Sequence, residues 1–326
     1  MKYTSYVNLQ DVQDKYDHII AWGGGELLSL NYWPTISEAE FIVDGSGKNA
    51  GKIFRGAEIK DPKALETIEG KCLIVIYTIY ENQVVEQIKQ YKPDADTVIF
   101  PLLRAGTERF ASCAKNGEDV LLFTLLKYLG ITSLSYLEIG VCHPIMRNNT
   151  YLLRECIEML GGTCCGVLAE ANPLWWDLIE TYRPKDKLLK CGIGDKEDNK
   201  TLYVFPNLLG HTTFLKEQAE EKIHSGISFQ ETNVSIMRIN DVLESSFDGA
   251  PDLLALDAEG MDLSILRAWN HELYPIKIVV AEIGADEEKE MLSLMDEKGY
   301  SLYARTMENG IWVRKDDKLN KLLSQM

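Results

Sequence analysis

Residues 136–173, YLEIGVCHPIMRNNTYLLRECIEMLGGTCCGVLAEANP, constrain the fold more than any other part of this 326-residue chain. They read as a strand, a turn, a helix and a second strand that ends in a carboxylate. A Rossmann-type sheet puts such a turn and such an acid at its carboxyl edge, where the acid can accept hydrogen bonds from ribose hydroxyls. Glu138 with Gly140 forms the first element of that pattern and Glu170 the second.

The rest of the chain repeats the alternation of short apolar runs and helical stretches. The run 18–22 leads into Gly23-Gly24-Gly25-Glu26, and 41–43 ends in Asp44. Runs at 73–77 and 97–100 flank 81–91, where Val84, Val85 and Ile88 recur at helical spacing. Residues 1–103 therefore read as a small Rossmann-like α/β domain. Gly23-x-Gly25 with Asp44 about 20 residues on mimics half of a dinucleotide fingerprint, but Leu28 stands where the third glycine belongs. Residues 104–134 read as a helical connector, with Leu121, Leu122, Leu125, Leu126 and Leu129 on one face. From 135 to 326 the pattern resumes, and runs at 188–193, 252–256 and 276–283 suit buried parallel strands. A helix over 290–298 and an antiparallel hairpin of 302–305 with 310–314 close the chain at a sheet edge. The polar stretch 206–228, containing Gly210, His211, Thr212 and Thr213, reads as a loop that covers a ligand.

Charge and cysteine usage narrow the function. A net charge of -16 repels a phosphate backbone, so nucleic acid is a poor partner. The chain starts without a basic segment and apolar core, and no apolar run approaches the roughly 20 residues that span a bilayer, so a soluble, cytoplasmic protein is expected. The 7 cysteines show no zinc-like spacing and read as reduced, small apolar residues.

In their order and spacing, YLEIG with HPI and NNTYLL, GVLAEANP, RPKDKLLKCGIGDKED, PDLLALDAEGMDLSIL, KIVVAEI and the closing GYSLYARTMENGIWVRK resemble the FkbM family of S-adenosylmethionine-dependent methyltransferases. The resemblance covers nearly all of residues 135–315. It implies a seven-stranded class I methyltransferase sheet for the second domain, so that with the first the chain is expected to hold two Rossmann-like α/β domains. It also implies bound S-adenosylmethionine and O-methylation of a sugar, glycan precursor or other hydroxylated metabolite. The chain departs from the commoner glycine-rich turn at His143 and Pro144.

The cofactor set expected from this placement is Glu138, Gly140, Val141, Asn149, Glu170, Ala171, Asn172, Ile193, Asp195 and Asp257. Gly140 lets the backbone pass near the cofactor, and Glu138 takes the ammonium of the methionine portion, directly or through water. Glu170 suits a ribose diol, or else caps the helix starting near Pro173, a role open to Asn172 as well. Ile193 and Asp195 fall where the family surrounds the adenine, although Asp195 also suits a turn. Asp257, Glu259, His143 and His211 are the base candidates, while Glu259 and Glu282 are candidates to grip acceptor hydroxyls. These carboxylates could hold a divalent cation, but their spacing names no metal and none is assigned.

Two other functions fit parts of the sequence. An NAD(P)-dependent sugar-nucleotide oxidoreductase or epimerase would use the turn at Gly23. A non-catalytic sugar-binding scaffold would keep the fold without methyl transfer. The first domain could recruit a nucleotide sugar or serve in packing, which leaves a homodimer open; Tyr32, Trp33, Tyr77 and Tyr80 suit either stacking on a ligand or a core.

Overall fold

The computed structural model describes residues 2–23, 39–54, 56–104, 112–208, 212–258, 260–284 and 286–315. The chain divides into two compact units, 1–111 and 112–326.

The first unit carries a six-stranded sheet in the order Ile53–Phe54, Ala57–Lys60, Phe41–Val43, His18–Trp22, Cys72–Ile76, Asp96–Ile99. All pairings are parallel except the hairpin of the first two strands. Every side chain of Cys72–Ile76 is buried, which explains a continuous apolar run instead of an alternating one. Helix Glu81–Tyr91 buries Val84 and Ile88, the face expected from their spacing. The tyrosine expected to stack on a ligand or sit in a core, Tyr77, is 2% exposed and stacks on Phe100 at 4.8 Å between ring centroids. Gly24, Gly25, Leu28, Tyr32 and Trp33 lie outside the described residues.

The main sheet of the second unit has seven strands: β1 Leu134–Ile139, β2 Cys164–Ala169, β3 Lys187–Leu189, β4 Leu253–Leu256, β5 Ile278–Glu282, β6 Tyr300–Arg305 and β7 Asn309–Arg314. Their order is β3-β2-β1-β4-β5-β7-β6. β1 to β5 are parallel, and β7 is inserted antiparallel between β5 and β6. The chain works outward from β1 to β3, then reverses and works outward from β4, so a topological switch point lies between β1 and β4. Register sets the edge at that point. Ile139 pairs with Ala169 and with Leu256, and Leu256 pairs with Ala281. The residues that follow, Gly140, Glu170, Asp257 and Glu282, therefore fall along one carboxyl edge. Leu137, Val167, Leu254 and Val279 anchor these strands in one apolar core.

Helix α1, Glu118–Leu129, lies in this second unit and buries Leu122, Leu125 and Leu126; Leu121 and Leu129 are half-buried. Helix α2, Tyr151–Met159, joins β1 to β2, and helix α3, Asp262–Ala268, follows β4. The run 188–193 is not one strand. Its first half ends β3, while Gly192–Gly194 pairs with Gln230–Arg238 in a separate three-stranded sheet completed by Asp198–Val204. Glycine allows this close packing, since a Cβ on Gly192 would lie 2.6 Å from Ile236 Cδ1. The stretch expected to be a covering loop contains helix Lys216–His224, and its Thr213 bridges back to Tyr203. Among the described residues no helix is long and apolar enough to cross a membrane.

Candidate active site

Glu170 follows β2 and is 6% exposed. One carboxylate oxygen accepts from the Cys142 backbone N–H at 2.8 Å and the other from Asn172 N–H at 2.7 Å. Its carbonyl accepts from Trp176 Nε1 at 2.9 Å, and its own N–H donates to Leu189. The side chain thus bridges the turn after β1 to the end of β2, and Val141 N–H in the same turn adds a smaller pull on it. Burial pushes its carboxyl up to about 7, against the Cys142 and Asn172 donors, and nearby Glu138 adds to the rise. The cap of the short helix Pro173–Trp175 is Asn172, whose Oδ1 accepts from Leu174 N–H; Glu170 is left for another role.

The turn after β1 is tight. Gly140 has φ +78°, and an added Cβ would lie 1.8 Å from the Asp257 carbonyl oxygen. Glycine is therefore required by the approach of the β4 end to the β1 end, a reason distinct from the clearance for a cofactor that the sequence suggested. Cys142 also sits in the left-handed region, at φ +54°, where a non-glycine residue is strained. His143 is fully buried, and its Nδ1 accepts from the Ile145 and Met146 N–H groups, each at 3.1 Å. This geometry makes it a fastener of the turn: the Nδ1 lone pair is shared by two amides and the ring has no solvent-exposed surface.

Glu138, in β1, is 4% exposed and accepts from Asn148 Nδ2 at 3.0 Å and Thr150 Oγ1 at 2.7 Å. Arg183 Nη1 lies 3.8 Å from its carboxylate. Burial raises the Glu138 carboxyl above its ordinary value, while Arg183, Thr150 and Asn148 pull it down. Sequence reasoning missed Asn148, Thr150 and Arg183. Their contacts span 10 to 45 positions, and nothing in RPKD marks an inward-facing guanidinium.

At the ends of β4 and β5, acids gather. Asp257 is exposed, yet it follows β4 close to other acids of this edge. Loss of water raises its carboxyl, Glu282 and Glu308 add to the rise, and Lys115 opposes it; the open face moderates the increase. Glu282 is raised by burial and Glu308, again opposed by Lys115. Lys115 pairs with Glu308 at 2.5 Å. Asp262, the first residue of α3, is 3% exposed and accepts from Ala258 N–H at 3.2 Å; burial, then Asp257 and Glu282, raises it. Sequence reasoning missed Lys115 because it precedes α1 in a stretch read as a connector.

The other expected residues divide. Val141 is buried at the turn, and Asn149 is half-buried beside Asn148, which makes the contact to Glu138. Asn172 also donates from Nδ2 to Thr212 at 3.1 Å. Ala171 packs against Leu202, Val204 and Val234. Ile193 is 2% exposed and belongs to the apolar core, whereas Asp195 is exposed. Glu259 and His211 lie outside the described residues. Among the described residues no group of three or more His, Cys, Asp or Glu could hold a metal ion.

Comparison with known proteins places the chain in a family. The family model described as the methyltransferase FkbM domain matches residues 138–302. Methyltransferase sdnD of Sordaria araneosa is 27% identical over 143 residues, which cover 36% of this chain and 54% of the relative, so the chain spans about half the length of that relative. Among solved structures, a TehB-like SAM-dependent methyltransferase from Corynebacterium glutamicum is 11% identical, with 62% of this chain and 89% of that chain covered and a TM-score of 0.33. The family match takes in half of the chain and contains Glu138, Glu170, Asp257 and Glu282 in a single span. The chain belongs to the FkbM methyltransferase domain family.

Proposed function

We propose that the second unit binds S-adenosylmethionine and methylates a hydroxyl of a sugar, glycan precursor or related small metabolite. The observation that carries this reading is the row Gly140, Glu170, Asp257, Glu282 along the carboxyl edge at the switch point. Ligands of open α/β sheets lie in that crevice.

The donor set fits the cofactor. Glu170 can accept from both hydroxyls of a ribose, and Glu138 offers negative charge to an ammonium group. Neither needs a phosphate, and Arg183, the cation beside Glu138, donates its hydrogen bonds to protein groups. These contacts favour a nucleoside with an amino-acid tail over a dinucleotide. When bound, the cofactor supplies a methyl group on a sulfonium, whose departure as a neutral thioether needs no acid.

The protein must then align an acceptor oxygen and remove its proton. Asp257 suits the second task because it is accessible and its raised carboxyl is a better base than an ordinary aspartate. Glu282, two strand positions from β1 across β4, suits a grip on a neighbouring hydroxyl.

Incubation with methyl-labelled cofactor and a cell extract, followed by mass identification of the product, tests the reading. A sugar methyl ether is the expected product. Label found only on protein or nucleic acid would overturn the acceptor class.

A further inference from the structure

Arg183 follows helix Trp176–Tyr182 and its side chain has no solvent-exposed surface. A guanidinium has five N–H donors in a rigid fork. Here there are five bonds: Nε to Asp186 at 2.6 Å, Nη1 to the Pro144 carbonyl and Asn148 Oδ1, both at 3.2 Å, and Nη2 to Tyr136 OH and Thr150 Oγ1, both at 2.9 Å. None goes to Glu138. Thr150 and Asn148 each accept from Arg183 and each donate to a different oxygen of Glu138.

A buried arginine and glutamate ordinarily meet as a bidentate fork that consumes the carboxylate's acceptors. This pair instead stands 3.8 Å apart and communicates through two relays. The arrangement gives Glu138 a counter-charge while leaving about half of its lone pairs unused. Asp186 does not compete for that role, since it is tied to Arg183 Nε, Tyr136 OH and, at 3.7 Å, Arg154. Pro144 and Asn148 belong to the loop after β1, so the same guanidinium also fixes the path of that loop.

We infer that Arg183 is a positioning residue for the amino-acid end of the cofactor: through Thr150 and Asn148 it holds Glu138 oriented and able to accept from a cationic donor. The inference rests on the cofactor reading above. It assigns Arg183 no contact with the cofactor and no part in the methyl-transfer step.

Calorimetric titration with two ligands separates this role from a merely structural one. S-adenosylhomocysteine carries the amino-acid end and 5′-methylthioadenosine lacks it. Thr150→Val keeps the volume but removes the relay hydroxyl, and Arg183→Lys keeps the charge but loses the fork. Both variants should lose about ten- to hundredfold in affinity for S-adenosylhomocysteine, the scale of one hydrogen bond to a charged group, with methylthioadenosine within about twofold of wild type. Thr150→Ser should restore the affinity. Thr150→Val carries the test where Arg183→Lys fails to fold. Equal losses for both ligands, or none for either, would overturn the inference while the cofactor reading stands. A wild-type protein that binds neither ligand would remove the cofactor reading and this inference with it.

Discussion

Asp44 in the first unit and Glu170 in the second occupy matching places, each just after the second strand of a parallel sheet, and they are used in opposite ways. Asp44 accepts from Ser46 N–H and Oγ at 2.9 and 2.8 Å, and from Asn49 N–H and Nδ2 at 3.2 and 2.8 Å. All four partners lie within five positions, and they fill about all the lone pairs a carboxylate has. Burial pushes the Asp44 carboxyl up, but these donors outweigh it and leave it below the ordinary value. Glu170 accepts from the Cys142 and Asn172 N–H groups, with Val141 N–H adding a third and smaller pull, so it takes fewer donors than Asp44, and burial lifts its carboxyl to about 7. An acid after a strand is therefore an ambiguous sign. A saturated carboxylate fastens its own loop, whereas an unsaturated one held by distant strands is poised for a ligand.

Substitutions at the paired glycines should show the largest contrast. Gly140→Ala forces a Cβ onto the Asp257 carbonyl at positive φ and should cost more than about 4 kcal/mol in denaturant unfolding. Gly23→Ala brings a Cβ to 2.9 Å from the Tyr77 carbonyl oxygen at φ +122°, and should cost about 1–3 kcal/mol from the strained backbone and an overlap smaller than that at Gly140. Equal costs would show that both edges are packed alike. Next in size, Glu170→Ala should weaken S-adenosylhomocysteine binding by about a hundredfold or more, the loss of charge-assisted bonds to a diol. Asp44→Ala should leave that affinity unchanged and lower stability by about 1–2 kcal/mol, as loss of a local capping group does. An Asp44 variant that lost cofactor affinity would break the comparison.

The two acids also imply opposite pH dependences. The folded state holds a proton on Glu170 up to about 7, while an unfolded glutamate releases it at about 4.3, so between those values the folded chain binds the extra proton. Stability from this group therefore falls as pH rises from about 4.5 to about 7. Asp44 has the reverse sign: its stabilisation is full above the ordinary aspartate value and fades as pH falls through its lowered one. Glu138 and Asp262 are raised, like Glu170, and push the same way. Thermal melts of the ligand-free protein should show Tm declining from about pH 5 to pH 7.5, with a shallower decline in Glu170→Gln. An unchanged slope in that variant would assign the titration to another carboxylate.

Much of this architecture was legible because buried parallel strands leave continuous apolar runs. The strands 18–22, 41–43, 72–76, 134–139 and 278–282 all announce themselves, and so do Gly140, Glu170, Asp257 and Glu282 at strand ends. The three-stranded sheet was hidden because Asp198–Val204 and Gln230–Arg238 are polar strands with one exposed face. Asp44 reads in sequence as the acid of half a dinucleotide fingerprint, and only the folded chain shows its carboxylate taken up by Ser46 and Asn49 of its own turn. Arg183 and His143 were not legible either, since burial of a polar side chain depends on partners that only the folded chain brings together. His143 stands at a turn in sequence and in space, and its ring ties that turn together through two backbone N–H groups.

The smallest expected effect, at Lys115, isolates the acceptor end from the cofactor end. Its pair with Glu308 joins side chains that are 44% and 42% exposed, so Lys115→Ala should change stability by only about 0–1 kcal/mol. The same ammonium holds the Asp257 and Glu282 carboxyls down, and removing it lets both rise. With ionised Asp257 as the group that takes the acceptor proton, the acid limb of the kcat profile should move to higher pH by about half a unit, the scale of an exposed charge. S-adenosylhomocysteine affinity should not move, because Glu170 and Glu138 are set mainly by burial and by their own donors and Arg183. A fixed acid limb would take the proton transfer away from Asp257, and a loss of cofactor affinity would mean that the two ends of the site are coupled through the carboxylates between them.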